Sequence, residues 1–204
     1  MHWQTAFMQF GDDRRVSLDR AVSAANRALE IDRMEPFAAF NLGRARWLEG
    51  DLEAGLTWIG RSLQINPNSA HSNYCSGLVQ LLAGAPDDGG SLCAKALSLS
   101  PLDPLSYAMQ ATRAMAAMLS EDFEEARRIA DQAVNAPGAH FYIVMIAALA
   151  HELAGERPGA ERYRDRALAQ RPDVGAGLFF QAFPFQRREH RETIAGGFRR
   201  LGLA

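Results

Sequence analysis

Small residues and prolines recur along this chain with a period of 34 residues. Gly43 and Gly77 are 34 residues apart, and Ala111 follows after another 34. Pro67 and Pro101 repeat at the same distance. The same period joins four further pairs of small residues, namely Gly55/Gly89, Ser62/Ala96, Ala126/Ala160 and Ala133/Ala167. A fixed period of this length predicts a stack of similar structural units, none of which buries its apolar face alone.

Each period indicates two helices separated by a short break. The first helix carries a small residue near its middle, as in the segment YCSGLVQLLAG. The second helix carries small residues seven positions apart, such as Gly55 and Ser62, and this spacing places both on one face. A proline such as Pro67 then ends the second helix. Small residues on both helices predict that the two pack closely as an antiparallel pair.

The spacing changes once along the chain. Twelve residues separate Gly43 from Gly55, whereas 15 separate Ala111 from Ala126. Three residues have therefore been added within the segment TRAMAAMLSEDFEEA. Because three residues are close to one helical turn, we expect either a longer first helix or a longer turn in that unit.

Together these features resemble the tetratricopeptide repeat. The segments RSLQINPNSAHSNYCSG and KALSLSPLDPLSYAMQA are similar to the junction at which one such repeat ends in proline and the next begins. The sequence departs from the pattern at Arg33, where the closing proline is expected, and at Pro137, which comes one residue early. The resemblance implies an all-α fold, a right-handed α-α superhelix of antiparallel helix pairs.

The resemblance divides the chain into six segments. They are a partial N-terminal repeat (1–33), four repeats (34–67, 68–101, 102–138 with the three-residue insertion, and 139–172) and a C-terminal cap (173–204). The cap is expected because Ile194, Phe198 and Leu201 recur as an apolar stripe along the last helix. We expect this stripe to cover the exposed edge of the fourth repeat.

Composition limits the classes of partner and the cellular compartments that we expect for this chain. The net charge is -2, so the chain has no overall attraction to nucleic acid or to an anionic membrane. Its two cysteines, Cys75 and Cys93, lie in apolar helical contexts, which favours a reducing cytoplasm over a disulfide framework. The N-terminus does not resemble a signal peptide, and the apolar run at 141–150 is too short to span a bilayer. We therefore expect a cytoplasmic protein that binds neither membrane nor nucleic acid directly.

Motifs for catalysis are missing from the sequence. It contains no glycine-rich nucleotide-binding loop, no GxSxG and no HExxH. His140 and His151 are 11 residues apart, which is not the spacing of two ligands on one helix face. The sequence therefore predicts no catalytic residue, no metal and no cofactor, so that any catalytic domain would lie upstream in a longer gene product.

The resemblance implies a binding site on the concave face, lined by the first helix of each repeat. Carrying the family's groove positions onto this chain gives a set that is mostly aromatic and aliphatic. The candidate partner-binding residues are Phe37, Phe40, Arg44, Trp47, His71, Tyr74, Leu78, Thr112, Met115, Tyr142, Met145 and Glu152. Such a surface favours an extended or helical peptide with apolar anchors. We expect Phe40, Trp47, Tyr74 and Tyr142 to dominate binding.

Two further functions stay open at this stage. The repeat order, the LSPLDP junction and the tail are similar to the C-terminal repeat regions of bacterial proteins that carry a class III adenylate/guanylate cyclase domain or a winged-helix DNA-binding domain. The first alternative to a scaffold or signal-input module is therefore a regulatory region whose partner is such an attached domain. The second is an accessory subunit that binds a small ligand in its groove. The sequence identifies neither the partner nor the oligomeric state.

Overall fold

The computed structural model describes residues 2–10 and 13–204, and all the secondary structure in these residues is helical. Twelve helices lie within this part of the chain. They are α1 (His2–Met8), α2 (Arg14–Ile31), α3 (Pro36–Glu49), α4 (Leu52–Ile65), α5 (Ala70–Ala83), α6 (Pro86–Leu99), α7 (Ser106–Leu119), α8 (Phe123–Asn135), α9 (Phe141–Leu153), α10 (Arg157–Gln170), α11 (Ala176–Ala182) and α12 (Arg188–Arg200).

Helices α3 to α10 form four consecutive hairpins that stack side by side. The pairs α3/α4, α5/α6, α7/α8 and α9/α10 pack against each other most extensively, and each hairpin then contacts the next. The first helices of the hairpins make up one layer, since α3 contacts α5, α5 contacts α7, and α7 contacts α9. The all-α architecture and the antiparallel helix pairs expected from the 34-residue period are confirmed.

The small residues lie where the two helices of a hairpin approach most closely. A Cβ atom added to Gly77 would lie 2.6 Å from the carbonyl oxygen of Gly89 and 3.0 Å from Cys93 Sγ. One added to Gly43 would lie 2.9 Å from the carbonyl oxygen of Gly55. Real Cβ atoms do not come this close to a carbonyl oxygen, so the hairpins close because these positions carry no side chain.

Local sequence also fixes where the helices begin and end. The carboxylate of Asp51 accepts a hydrogen bond from the amide of Ala54 (3.0 Å) and so caps the first turn of α4. Gly50, just before it, ends α3 in the left-handed region at φ +85°, which a residue with a side chain rarely adopts. Asp122 and Glu156 cap α8 and α10 in the same way as Asp51 caps α4.

The three additional residues of the third repeat lie at the end of its first helix and in the following turn. Helix α7 continues eight residues beyond Ala111, to Leu119, whereas α5 continues six beyond Gly77, to Ala83. The turn before α8 comprises residues 120–122, and the corresponding turn before α6 comprises 84–85. Two helical residues and one turn residue therefore account for the insertion.

The two ends of the chain pack onto the stack in different ways. Helix α1 is short and contacts α2 and α3, so the N-terminal segment forms an irregular hairpin. In α12, Ile194 and Phe198 are fully buried, and the helix packs on α9. Helix α9 belongs to the layer of first helices, hereafter the concave layer, so α12 packs on that layer. The division of the chain that assigns 173–204 as a cap at the exposed edge of the fourth repeat stays a prediction.

Within the described residues, no helix is both long enough and apolar enough to cross a membrane.

Candidate functional site

The twelve predicted groove residues lie on α3, α5, α7 and α9, and most are buried. Seven are shielded from solvent, namely Phe40, Trp47, Leu78, Thr112, Met115, Tyr142 and Met145. Arg44, His71, Tyr74 and Glu152 are partly buried, and Phe37 is 62 % exposed. A single layer of helices cannot bury the side chains on its free face. Other parts of the chain must therefore cover the face of α3, α5, α7 and α9 that carries these residues.

The first covering element is the C-terminal segment from Ala176 to Gln186, hereafter the tail segment. The indole Nε1 of Trp47 donates a hydrogen bond to the carbonyl oxygen of Ala182 (2.9 Å). The amide of Gln186 donates to the carbonyl oxygen of Leu82 (2.9 Å), so the segment reaches from α3 to the end of α5. A chain segment therefore already lies where we expected a partner to bind.

Two phenylalanines anchor the tail segment to the concave layer. Phe179 and Phe183 lie four residues apart on successive turns, with ring centroids 4.6 Å apart. The ring of Phe183 lies 5.5 Å from that of Tyr142, and the ring of Phe179 lies 6.4 Å from it. Both phenylalanines are buried. Aromatic contacts of this kind stabilise beyond the area that they bury.

Helix α1 is the second covering element. Trp3 stacks on Phe7 at 4.9 Å, and Phe7 lies 5.7 Å from Trp47 and 5.3 Å from Tyr142. Trp47 belongs to the first full repeat and Tyr142 to the fourth. One side chain of α1 therefore joins the two ends of the stack across its concave face.

Polar side chains hold α1 and the tail segment in place by donating hydrogen bonds to main-chain carbonyl oxygens. Arg14 donates through Nη2 to the carbonyl oxygens of Leu48 (2.6 Å) and Gln181 (2.9 Å). Arg171 donates to the carbonyl oxygen of Met8 (2.6 Å), and Gln9 donates to the carbonyl oxygen of Leu178 (3.1 Å). None of these residues was predicted from the sequence, because their partners are distant along the chain. The apolar stripe of Ile194, Phe198 and Leu201 indicated that the C-terminal residues cover a surface, but not which contacts hold them there.

Glu152, the predicted groove carboxylate, is engaged by the C-terminal helix. Its Oε1 accepts a hydrogen bond from Arg200 Nε at 2.7 Å, and the Glu152 side chain is only 8 % exposed. Gly197 of α12 lies directly against Leu149, where it leaves no room for a Cβ atom. The fourth-repeat end of the groove is thus closed by α12 together with the tail segment.

An unfilled space remains beside the first helices of all four repeats. A cavity of about 220 Å³ lies between α1, α3, α5, α7 and α9. Its walls include Arg44, Tyr74 and Met115 of the predicted set, together with Trp3 of α1 and Phe183 of the tail segment. The guanidinium carbon of Arg44 lies 3.3 Å from the centroid of the Trp3 ring. Five predicted groove residues, Phe40, Arg44, Tyr74, Thr112 and Met115, line this cavity.

The rim of the groove carries a short aromatic stack. Phe37 packs on Phe40 with centroids 5.7 Å apart, and Phe40 lies 6.2 Å from the ring of His71. His71 Nε2 lies 3.2 Å from a carboxylate oxygen of Asp103. Hydrogen bonds from the amide of Leu105 and from His71 lower the pKa of Asp103 against the opposing effect of its burial. Phe37 is the predicted residue that a partner reaches without displacing any part of this chain.

A separate polar cluster ties three helices together below the concave layer. His151 lies 2.6 Å from Glu156 through Nδ1 and 2.9 Å from Asp131 through Nε2, and the hydroxyl of Tyr163 donates to Asp131 (2.7 Å). The hydrogen bond from His151 lowers the pKa of Glu156. Both ring nitrogens of His151 are occupied, so the cluster connects α8, α9 and α10 instead of presenting a reactive group. The described residues hold no group of three or more metal-binding side chains.

Comparison with known protein structures identifies the fold. No sequence-family model matches the chain, and no curated protein sequence matches it significantly. PilW, a widely conserved type IV pilus biogenesis factor, superposes with a TM-score of 0.69 at 17% identity, over 98% of this chain and 89% of that one. TTC0263, a tetratricopeptide-repeat protein of Thermus thermophilus, gives 0.67 at 16% identity over 96% of each chain.

A third structure bears on the groove. YrrB, described as a tetratricopeptide-repeat protein with an unusual peptide-binding site, gives a TM-score of 0.58 at 17% identity, over 87% of this chain and 90% of that one. Identities this low establish the fold alone. The helical hairpins, the 34-residue period and these structural neighbours together show that the chain has the tetratricopeptide-repeat fold.

Proposed function

We propose that the chain is a protein-interaction module whose concave surface holds a peptide segment with aromatic anchors. The observation that carries this proposal is the occupancy of that surface by the chain's own tail segment. Phe179 and Phe183 fill apolar sites on the concave layer, and Trp47 binds the carbonyl oxygen of Ala182, which lies between them in the sequence. A groove that holds one such segment has the means to hold another.

The contacts to the tail segment explain which partner segments would fit. Trp47, Arg14 and Gln9 bind carbonyl oxygens at Ala182, Gln181 and Leu178, as given above, and carbonyl oxygens are present in every sequence. Specificity therefore falls on the two aromatic side chains, which lie four residues apart and so share one face of a helix. A partner segment with two aromatic residues at this spacing would make the same contacts once the tail segment leaves.

The proposal is for binding and not for catalysis, and it involves no cofactor. The partner segment belongs either to another protein or to an effector domain on the same gene product, such as the cyclase or DNA-binding domain considered above. We place the module in the cytoplasm because Cys75 and Cys93 are free and fully buried, so that neither needs an oxidising compartment.

Cutting the connection to the tail segment tests this proposal. A protease site inserted after Asp173, whose side chain is 67 % exposed, would leave residues 174–204 held by contacts alone. We expect the cleaved peptide to co-elute with the stack and to exchange with a fluorescent copy of 174–204 in a saturable manner. Trp47→Ala should weaken this binding at least about tenfold, because it removes the buried hydrogen bond to Ala182 and leaves that carbonyl oxygen without a donor.

Arg128→Ala is the matched control, because Arg128 is on α8 and is 54 % exposed. Circular dichroism should show that both variants remain helical. If the cleaved peptide separates and its copy does not rebind, the concave surface does not act as a segment-binding groove. If Arg128→Ala weakens binding as much as Trp47→Ala, the assignment to the concave face is wrong.

A further inference from the structure

The cavity beside Arg44 combines mostly apolar walls with one charged side chain. Most of its walls are apolar, with Met115, Ile143 and Phe183 among the lining side chains. Its volume is about 220 Å³. An engineered cavity of about 150 Å³ lined by apolar side chains binds benzene, so this space suits a ligand slightly larger than a single aromatic ring.

Arg44 brings an uncompensated positive charge to this space. Its Nε atom is buried without a hydrogen-bond partner, and no carboxylate in residues 2–10 or 13–204 forms an ion pair with it. The guanidinium is held by aromatic faces instead, 3.3 Å from the Trp3 centroid and 5.0 Å from that of Phe40. Because a partly buried charge without an ionic partner is costly, a compensating anion would stabilise Arg44 here.

The neighbours of Arg44 do not supply that anion. Burial raises the pKa of Cys75 to about 12 and raises that of Tyr74 well above its usual value, so both groups are neutral at pH 7. Burial also raises the pKa of Tyr107, another residue that lines the cavity. Burial lowers the pKa of Arg44, but a guanidinium stays protonated under these conditions.

A second polar atom facing this region is also unsatisfied. His140 lines the cavity, and its Nδ1 is buried without a hydrogen-bond partner. Its ring packs against Tyr107 at 5.5 Å. Burial lowers the pKa of His140 to about 4, so the ring is neutral at pH 7 and adds no positive charge. Arg44 is therefore the single charged group among the described residues that line this cavity.

The cleft on the other side of Arg44 offers it no better partner. That cleft lies between α1, α2 and α3, and Glu35 is the one carboxylate among its described lining residues. Glu35 instead caps α3 by accepting a hydrogen bond from the amide of Phe37 at 2.7 Å. Arg44 therefore has no carboxylate partner in this cleft either.

We propose that this cavity binds a small organic carboxylate with an aromatic or branched aliphatic body. The carboxylate would accept hydrogen bonds from the planar guanidinium of Arg44, which suits a two-oxygen anion. The apolar body would lie among Tyr74, Met115 and Ile143. Since Trp3 and Phe183 also line the cavity, the ligand would contact both covering elements and stabilise them in place.

Calorimetric titration of the full chain tests this proposal. The probes are phenylacetate, 3-phenylpropionate and 4-methylpentanoate, each paired with its neutral amide. We expect at least one acid to bind with a dissociation constant near or below ~1 mM, as ligands of this size reach in a well-matched pocket. Its amide should bind at least about tenfold more weakly, because it lacks the charge that Arg44 requires.

Arg44→Met keeps the stem of the side chain and removes its charge, and Arg46→Met is the control. Arg46 lies two residues along α3 and pairs with Glu49 at the surface. We expect the acid to lose at least about tenfold in affinity for Arg44→Met and to bind Arg46→Met normally. Saturating acid should also move the Trp3 indole resonance in the parent chain.

Three results would overturn the proposal. One is the failure of every acid to saturate the parent chain below ~10 mM. Another is equal binding of acid and amide, and the third is equal competition by chloride or phosphate, which would indicate a simple anion site. The exchange of the 174–204 peptide is measured without these ligands, so the two proposals fail independently.

Discussion

The outer and inner helix layers of this solenoid are built on different principles. The outer helices α4, α6, α8 and α10 are held by contacts within one hairpin or between adjacent ones. The inner helices are covered by α1 and the tail segment, which come from opposite ends of the chain. The outer layer therefore depends on the local repeat, whereas the inner layer also depends on contacts between residues far apart in sequence.

The largest expected effect comes from removing the covering of the inner layer. Deleting residues 173–204 takes away Phe179, Ile194 and Phe198, all fully buried, and exposes Trp47 and Tyr142. Truncating one buried Phe costs about 3–5 kcal/mol, so the loss of several is comparable to the whole stability of an ordinary domain, about 5–15 kcal/mol. We expect the truncated chain to aggregate or unfold. A soluble truncation that melts at the temperature of the full chain would show that the covering adds nothing.

A large substitution within a single hairpin breaks the contact between the inner and outer layers instead. Gly77→Leu forces a side chain against the carbonyl oxygen of Gly89 and the sulfur of Cys93. We expect thermal melting to show a loss of about 3 kcal/mol or more. Gly60→Ala is the control, because a Cβ atom at Gly60 in α4 would meet nothing within 4 Å. If Gly77→Leu melts like Gly60→Ala, the close contact between α5 and α6 is incorrect.

Acid should weaken the inner layer through His140. Burial lowers the pKa of His140 to about 4, whereas the unfolded chain titrates near ~6.5. Between these values the unfolded state binds a proton that the folded state does not, so stability falls as pH decreases from ~6.5 towards ~4. We expect a loss of up to about 2 kcal/mol from this group between pH 7.5 and pH 5.

Denaturant unfolding at several pH values measures this effect, with His140→Gln as the comparison. The variant should lose less stability than the parent chain between pH 7.5 and pH 5. Asp103 and Glu156 have lowered pKa values, so their contributions are lost only at still lower pH and do not interfere. Equal slopes for the parent and the variant over this range would mean that His140 is accessible to water.

The smallest expected effect comes from removing one hydrogen bond between α3 and the tail segment. Trp47→Phe keeps an aromatic ring but leaves the carbonyl oxygen of Ala182 without its donor. We expect urea unfolding to show a loss of about 1–2 kcal/mol. Trp58→Phe is the matched control, since Trp58 in α4 is only partly buried and packs against Arg61. Equal losses for the two variants would indicate that the bond to the tail segment contributes nothing.

The difference between the layers also explains what could be predicted from the sequence. Gly43, Gly77 and the prolines at 67 and 101 repeat, so the hairpins and their register follow from counting. The same counting placed the additional residues between Ala111 and Ala126. The prediction of helical hairpins succeeds because each hairpin depends on contacts within one repeat or between neighbours.

The inner face could be predicted only in part. The groove positions placed Trp47 and Tyr142 on the concave layer, but no period connects them with Phe7 or Phe183. Their contacts join distant positions once each, so they leave no recurring signal. The unpaired charge of Arg44 was equally invisible, because it follows from which groups are missing around the side chain.

Nuclear Overhauser measurements at the Trp47 indole test the central claim most directly. The full chain should show contacts from the Trp47 Nε1 proton to Ala182 and Phe183, and from the ring of Phe7 to that of Tyr142. The Trp47 Nε1 proton should exchange slowly with water, because the residue is 1 % exposed. An indole proton that exchanges rapidly and shows contacts only to its own helix would mean that the concave face is open, and would contradict the account.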